Sequence, residues 1–438
     1  REALNTNATS SDLQSGNVLV SLRPRKRPIG ARVTTVAVDV VRDIALEDIA
    51  MGTALVQLGA FDSDDVARTV WLRLRQKFPS FMTDRGRVIQ RATRGGKVFY
   101  RLRAAGFDSQ VVGFTQERIG TGQIGMCMRY NLELSGEGGP RSLVGKFASP
   151  DPLSSATGVK LLNFLKEVRF YQQLQQRVSI NTPRCFYADI VDEGPEFMLL
   201  LEDLAPADQG DQLVGCGHDV ANAAVQELVG LHAPLWCDRS LDEMEFLGNR
   251  KESNRGAAEL YHQTFDGFAS RFGSELSADQ LQIMRRFGED REAYLNSSDG
   301  TIFAPIHIDY RLDNILIGES DGDPVINVVD WQSIAVGNPL TDVGYFLGAG
   351  MKPEERRESE EEIVRAYHSS LVGTGISNYS FEQSWQDYRR SAFAGFSVTV
   401  VASMLVQQTT RGDQMFLAMA QRHSQHAIDM GAEEFLML

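Results

Sequence analysis

Apolar positions along this chain change their period several times, and each change marks an element. The first run, Ala54–Phe61, is short, apolar and bounded by turn residues, which predicts a strand. Asp62 and Ser63 then offer a cap for a helix over Asp64–Lys77, with Val66, Val70, Leu72 and Leu74 as its apolar candidates. Val88–Arg91 and Val98–Arg103 read as two further strands, and the Arg94-Gly95-Gly96-Lys97 tip between them suits a hairpin. Met126–Leu134 and Leu143–Phe147 are strand patterns, Leu161–Tyr171 is helical by apolar spacing, and Phe197–Leu201 is a continuous apolar strand. Asp219–Trp236 reads as an amphipathic helix. Ile315–Ile317 and Val325–Val329 are strands on either side of a Gly318–Asp323 turn. The longest apolar stretch, Ala392–Val406, is interrupted by Ser397, Thr399 and Ser403 and falls short of a bilayer span, so it predicts a buried helix.

A chain of 438 residues has room for two to three domains and a sizeable core. Its first 16 residues are rich in Ser, Asn and Thr, and Ser21–Pro28 is basic and punctuated by proline; residues 1–53 are therefore read as a disordered, basic linker. Charge is uneven. Residues 1–110 carry 18 Lys/Arg against 11 Asp/Glu, and the remainder 26 against 47, which points to two pieces of different history. The acidic remainder makes a poor polyanion binder, so no nucleic-acid partner is expected. Cys127, Cys185, Cys216 and Cys237 are scattered and form no CxxC pair, which argues against a zinc knuckle or a disulfide framework. No transmembrane segment and no leader-like apolar core is read in the chain.

The chemistry sits in the acidic part. Glu117-Arg118-Ile119-Gly120-Thr121-Gly122-Gln123-Ile124-Gly125 leads into a returning strand, and Gly120, Gly122 and Gly125 would let backbone N–H groups approach phosphates closely. Lys146 is embedded in the apolar strand Leu143–Phe147, where it needs a partner or a phosphate. Glu167, twenty-one residues on, is the candidate partner that would hold it against the nucleotide. Glu202 ends an apolar strand; in a kinase this is the hinge, where backbone groups near it would bond adenine. His307-Ile308-Asp309-Tyr310-Arg311-Leu312-Asp313-Asn314 places a carboxylate five positions before an amide, and a second carboxylate, Asp330, follows the next hairpin. Asp309 is the candidate general base or alcohol-orienting group, and Asn314 and Asp330 offer the hard oxygens that suit Mg²⁺. His307 is read as a brace for this loop and His232 as a satisfied core histidine. Asp342 is expected to cap a helix or pin the catalytic loop.

Two resemblances rest on these strings. VQLGAF, a helix, and GGKVFYRLRAAGF resemble the SPOR domain, a βαββαβ module that binds denuded peptidoglycan strands; here the pattern stops at Phe107-Asp108-Ser109, without a second helix and fourth strand. HxDYRLDNIL, VVDWQ and PLTDVGYFL resemble the aminoglycoside phosphotransferase and choline-kinase-like superfamily, closest to its ecdysteroid-kinase-like members, over about residues 111–435. This resemblance assigns Asp309 as the catalytic aspartate, Asn314 and Asp330 as metal ligands, and Lys146 with Glu167 as the phosphate-contacting pair. Ile308 replaces the commoner glycine, which stiffens the loop, and Asp330-Trp331-Gln332 replaces the DFG of protein kinases, which argues against protein substrates.

The expected fold is α+β: a bilobal protein-kinase-like fold with a small β-rich N-lobe at 111–205 and a larger helical C-lobe at 206–438. An incomplete βαββ SPOR-like module at 54–108 would precede it. The expected activity is ATP- and Mg²⁺-dependent phosphorylation of a small-molecule hydroxyl in the cytoplasm. The alternative is a peptidoglycan-binding protein whose kinase-like part is a non-catalytic scaffold, with weak glycan contact through the N-terminal module. Nothing in the C-lobe sequence identifies the acceptor.

Overall fold

The computed structural model of the chain describes residues 42–49, 55–77, 82, 84–94, 97–106, 111–120, 122, 124–136, 138–248, 250–297 and 300–437. The linker reading of residues 1–41, the Gly95-Gly96 tip, the Phe107–Ser109 stop, and Thr121 and Gln123 of the glycine-rich string lie outside the described residues. The chain divides into two compact units, residues 1–110 and 111–438.

In the first unit β1 (Leu55–Phe61), α1 (Asp64–Lys77), β2 (Gly86–Arg94) and β3 (Lys97–Ala105) build a three-stranded antiparallel sheet of order β1-β3-β2. Arg94 pairs with Lys97 at the end of the β2–β3 ladder. One expectation fails here. Val66 and Leu72 are 47% and 54% exposed, whereas Ala67 and Trp71 are fully buried. A helix on one sheet face buries a single stripe, and the 67/71 pair, four residues apart, defines it together with the partly buried Val70 and Leu74. Among the described residues of this unit the strands and helix follow the order βαββ, with β1 at one edge of the sheet.

The second unit opens with a five-stranded antiparallel sheet of order β4-β5-β6-β8-β7. Its strands are β4 (Val111–Ile119), β5 (Gly125–Leu134), β6 (Ser142–Ala148), β7 (Cys185–Ile190) and β8 (Phe197–Glu202). Between β6 and β7 lie α2 (Pro152–Lys160) and α3 (Asn163–Arg169). The apolar spacing predicts one helix over Leu161–Tyr171, but Leu161 and Leu162 form a break, with Leu162 in the left-handed region at φ 58°. α3 then loosens into a π turn over Phe170–Leu174. Spacing alone cannot register a single left-handed residue, because side-chain polarity does not change there.

The helical region follows, with β9 (Asp208–Gln209), α4 (His218–Glu227), α5 (Val229–His232), α6 (Arg250–Phe272), α7 (Ala278–Glu289), α8 (Arg291–Asn296) and β10 (Ala304–Ile306). β11 (Ile315–Ser320) and β12 (Asp323–Val328) form a hairpin closed by Asp321 and Gly322, both at positive φ, as a two-residue turn requires. The predicted turn is therefore too long, since both strands run to its tip. β13 (Ala335–Gly337), α9 (Leu340–Gly350), α10 (Pro353–Gly373), α11 (Phe381–Arg390), α12 (Ala394–Leu405) and α13 (Thr410–Asp429) complete the unit. The architecture is α+β, with a β-rich N-terminal region ahead of a helical C-terminal one.

Two packing features position the site. α3 is fastened to the helical region rather than to the sheet alone. Phe170 stacks on Trp331 at 3.8 Å and 9°, Asn163 Nδ2 donates to Gln332 O at 3.0 Å, and Trp331 Nε1 donates to Thr182 Oγ1 at 2.9 Å. α12 buries Gly395, Phe396, Thr399, Val400 and Ser403 on one face only. Gly395 lets it approach α13: a Cβ there would stand 2.0 Å from His423 Nε2.

Candidate active site

A cleft of about 760 Å³ runs through the second unit, and Gly120, Gly122, Gly125, Lys146, Glu167, Glu202, Asp309, Asn314 and Asp330 all line it. The β4–β5 hairpin supplies its roof. Gly120 adopts φ 71°, and a Cβ on Gly125 would come within 3.0 Å of Lys146 Cε, so glycine keeps the roof close to the lysine.

Lys146 is the centre of charge. Its Nζ lies 2.7 Å from Glu167 Oε2 and 2.7 Å from Asp330 Oδ1. Burial works against the ammonium, but the two carboxylates more than offset it and hold its pKa well above the ordinary lysine range. Burial also works to raise Asp330, and Lys146 outweighs it, so this carboxyl is lowered. Glu167, the most enclosed of the three, is pushed upward by burial against the pull of Lys146. The ion triad thus ties the sheet, α3 and the loop after β12 to one point.

The second cluster lies on the loop before β11. Asp309 Oδ1 accepts from Arg311 Nε at 3.0 Å and from Tyr345 OH at 2.8 Å, and Asp309 Oδ2 accepts from Asn314 Nδ2 at 2.9 Å. The Asn314 amide nitrogen also donates to Asp309 O, so its oxygen turns away from Asp309. Val329 N donates to the backbone carbonyl of Asn314 at 3.0 Å, which couples the Asn314 main chain to the residue before Asp330. Asp330 itself sits in the left-handed region at φ 70°, a conformation a short polar side chain tolerates.

What holds the loop is Asp342, on the first turn of α9. Its carboxylate accepts from His307 N at 2.7 Å and Ile308 N at 2.9 Å. It pins the loop, and the N-cap position belongs to Pro339. Ile308, at φ 71°, is a β-branched residue in the left-handed region, and these two bonds keep it there. His307 Nε2 bonds Val329 O at 3.1 Å, and the ring lies between Tyr310 and Trp331, so it braces the loop. His232 is fully buried and bonded to Tyr367 OH at 2.7 Å.

At the end of β8, Glu202 N already donates to Arg184 O at 2.8 Å, and its carboxylate accepts from Arg184 N. Both its backbone N–H and its carboxylate are thus engaged by Arg184. Beside them Arg129 of β5 pairs with Asp203 at 2.8 Å. Reading from sequence passed over Arg311, which bridges Asp309 and Asp313 (2.6 Å to the latter), although it stands two residues from Asp309. It also passed over Tyr345, for which no local signal exists, because the contact spans 36 positions.

These two clusters line one cleft between a sheet and a helical region. Residues 160–376 match the Ecdysteroid kinase-like family, and residues 50–111 match the SPOR domain. The resemblances drawn from the two sets of sequence strings are the ones these matches return. Among solved structures, the chain is similar to a putative aminoglycoside phosphotransferase from Ralstonia eutropha JMP134 (13% identity, 73% of this chain and 95% of that one, TM-score 0.44). It is also similar to choline kinase from Cryptosporidium parvum Iowa II (10% identity, 73% and 89%, TM-score 0.47). A third is ethanolamine kinase from Plasmodium vivax (12% identity, 74% and 82%, TM-score 0.43). No curated protein matches the chain. Among the described residues no helix is long and apolar enough to cross a membrane.

Proposed function

We propose that the second unit is a small-molecule phosphotransferase that moves the γ-phosphoryl group of ATP to a hydroxyl. One observation carries this reading: the Lys146–Glu167–Asp330 triad and the Asp309–Asn314 pair line the same cleft beneath a glycine-rich hairpin. Lys146, held by Glu167, contacts the phosphates. Asp309 accepts the hydroxyl proton as the acceptor oxygen bonds to the γ-phosphorus and the bond to the β-phosphate oxygen breaks. Arg311 and Tyr345 fix one oxygen of Asp309, so the other, shared with Asn314, faces the acceptor. The donor set fits a hard divalent cation: the Asn314 amide oxygen and the Asp330 carboxylate would hold Mg²⁺, which neutralises charge on the phosphates when bound. Dependence on ATP assigns the reaction to the cytoplasm.

Asp309→Asn in the full chain tests the role. Turnover of ATP in the presence of a metabolite extract should fall by at least about 10²-fold while ATP affinity stays within a few-fold. Turnover near wild type would end the assignment.

The SPOR match favours a second reading for the first unit, contact with peptidoglycan. Retention of the full chain on glycan strands lacking stem peptides would support it, and no retention would remove it.

A further inference from the structure

We infer that Lys166, on α3, binds the terminal phosphoryl group of the nucleotide, as a second phosphate-contacting cation beside Lys146. The inference rests on the phosphotransferase reading and adds a residue to its nucleotide site.

Among the described residues five cations line the cleft: Arg129, Lys146, Lys166, Arg311 and Arg411. Four of them are already met by carboxylates. Arg129 lies 2.8 Å from Asp203, and Lys146 lies 2.7 Å from both Glu167 and Asp330. Arg311 is 3.0 Å from Asp309 and 2.6 Å from Asp313, and Arg411 is 3.4 Å from Asp313. Lys166 has no ion pair and no side-chain hydrogen bond with any of the described residues. Burial alone acts on this half-buried ammonium and pulls its pKa below the ordinary lysine range. A charge withdrawn from water without a counter-charge is costly, and an arriving oxyanion would supply what is missing. A triphosphate needs such a cation. Lys146, the expected phosphate contact, already faces two carboxylates of its own.

The fold places Lys166 at the outer phosphates. α3 and the turn after it direct one stripe at the loop following β12. Asn163 Nδ2 donates to Gln332 O, Glu167 shares Lys146 with Asp330, and Phe170 stacks on Trp331. Lys166 stands three residues beyond Asn163 and four before Phe170, hence on the same stripe. It lines the cleft together with Gln332 and Ser333, and Gln332 Nε2 donates to Asp330 Oδ2 at 3.2 Å. The ammonium therefore belongs to the wall that carries Asp330, a candidate metal ligand. In phosphotransferase sites the metal bridges the β- and γ-phosphate oxygens, so the wall beside its ligand faces the terminal group. Both rings and the Asn163 bond hold α3 in place, which fixes Lys166 before nucleotide arrives.

Calorimetric titration of the full chain with ATP and with ADP, each with Mg²⁺, tests the inference. Lys166→Met keeps the apolar stem and removes the charge. It should weaken ATP binding at least about tenfold and leave ADP within about threefold, because the lost charge-assisted bond goes to a group ADP lacks. Lys166→Arg should return ATP affinity to within about threefold of wild type. The Tm of Lys166→Met should hold or rise, since an unpaired ammonium is removed. Should that variant fail to fold, Lys166→Gln serves the same purpose. Equal weakening of ATP and ADP, or weakening of neither, overturns the inference and leaves the phosphotransferase reading standing. Failure of the wild-type chain to bind either nucleotide overturns both.

Discussion

Asp342→Asn, alone and combined with Ile308→Gly, probes how the candidate catalytic loop is held. Asp342 is fully buried, and both its oxygens accept backbone N–H groups, at 2.7 and 2.9 Å. Asparagine keeps one acceptor and turns an NH₂ group against the other N–H. One charge-assisted bond is lost, worth about 1.5–3 kcal/mol, and a buried donor is left unmet at about 1–3 kcal/mol more. A destabilisation of about 3–5 kcal/mol follows. Part of what those bonds do is hold Ile308 at φ 71°, which costs a β-branched residue about 1–2 kcal/mol. Glycine adopts that conformation freely, although its looser unfolded chain returns about 0.5–1 kcal/mol. Ile308→Gly alone should therefore stay within about 1 kcal/mol of wild type, and in its background Asp342→Asn should cost less. Urea denaturation of the four proteins gives the coupling energy, expected at about 1–2 kcal/mol. Single-mutant effects that add within about 0.3 kcal/mol, or an Asp342→Asn cost below about 1 kcal/mol, would refute the idea that this carboxylate enforces the loop.

Arg311→Met leaves Asp309 and Asp313 without their shared counter-charge and should destabilise by about 3–5 kcal/mol in urea. Arg311→Lys should recover only part of this, because an ammonium cannot serve both carboxylates with a fixed fork. Gly395→Ala drives a Cβ into the His423 ring and should lower Tm by several degrees, whereas His423→Ala in the same background should restore much of the loss. Burial pushes the His423 imidazole down to about 3. The unfolded chain takes up that proton near pH 6.5, so the contribution to stability is complete above 6.5 and is lost as pH falls toward 3. The loss from this side chain is at most about 1.4 kcal/mol per pH unit. Urea midpoints between pH 7.5 and 5.5 should show the slope, and His423→Asn should flatten it.

What could be read from the chain was what short segments encode. A lysine inside an apolar strand, an acid and an amide five positions apart, and a carboxylate after a hairpin are local patterns, and the structure gathers Lys146, Asn314 and Asp330 along one cleft. The stripe of α1 is hard to read because the buried Ala67 carries little hydrophobic signal while the exposed Val66 and Leu72 carry much. The left-handed Leu162 has no compositional mark. Tyr345 and Met415 meet the candidate catalytic loop only through tertiary packing, at separations of 36 and 104 positions.

The way α3 is fastened has a bearing on control. Its glutamate contacts Lys146, while its far end is stacked on Trp331, one residue from Asp330, and its near end is bonded to Gln332. Withdrawing Glu167 would mean parting two large rings and breaking the bond from Asn163, so this helix is no swinging lever. On the proposed phosphotransferase reading, Lys146 and Glu167 are already paired before any acceptor arrives.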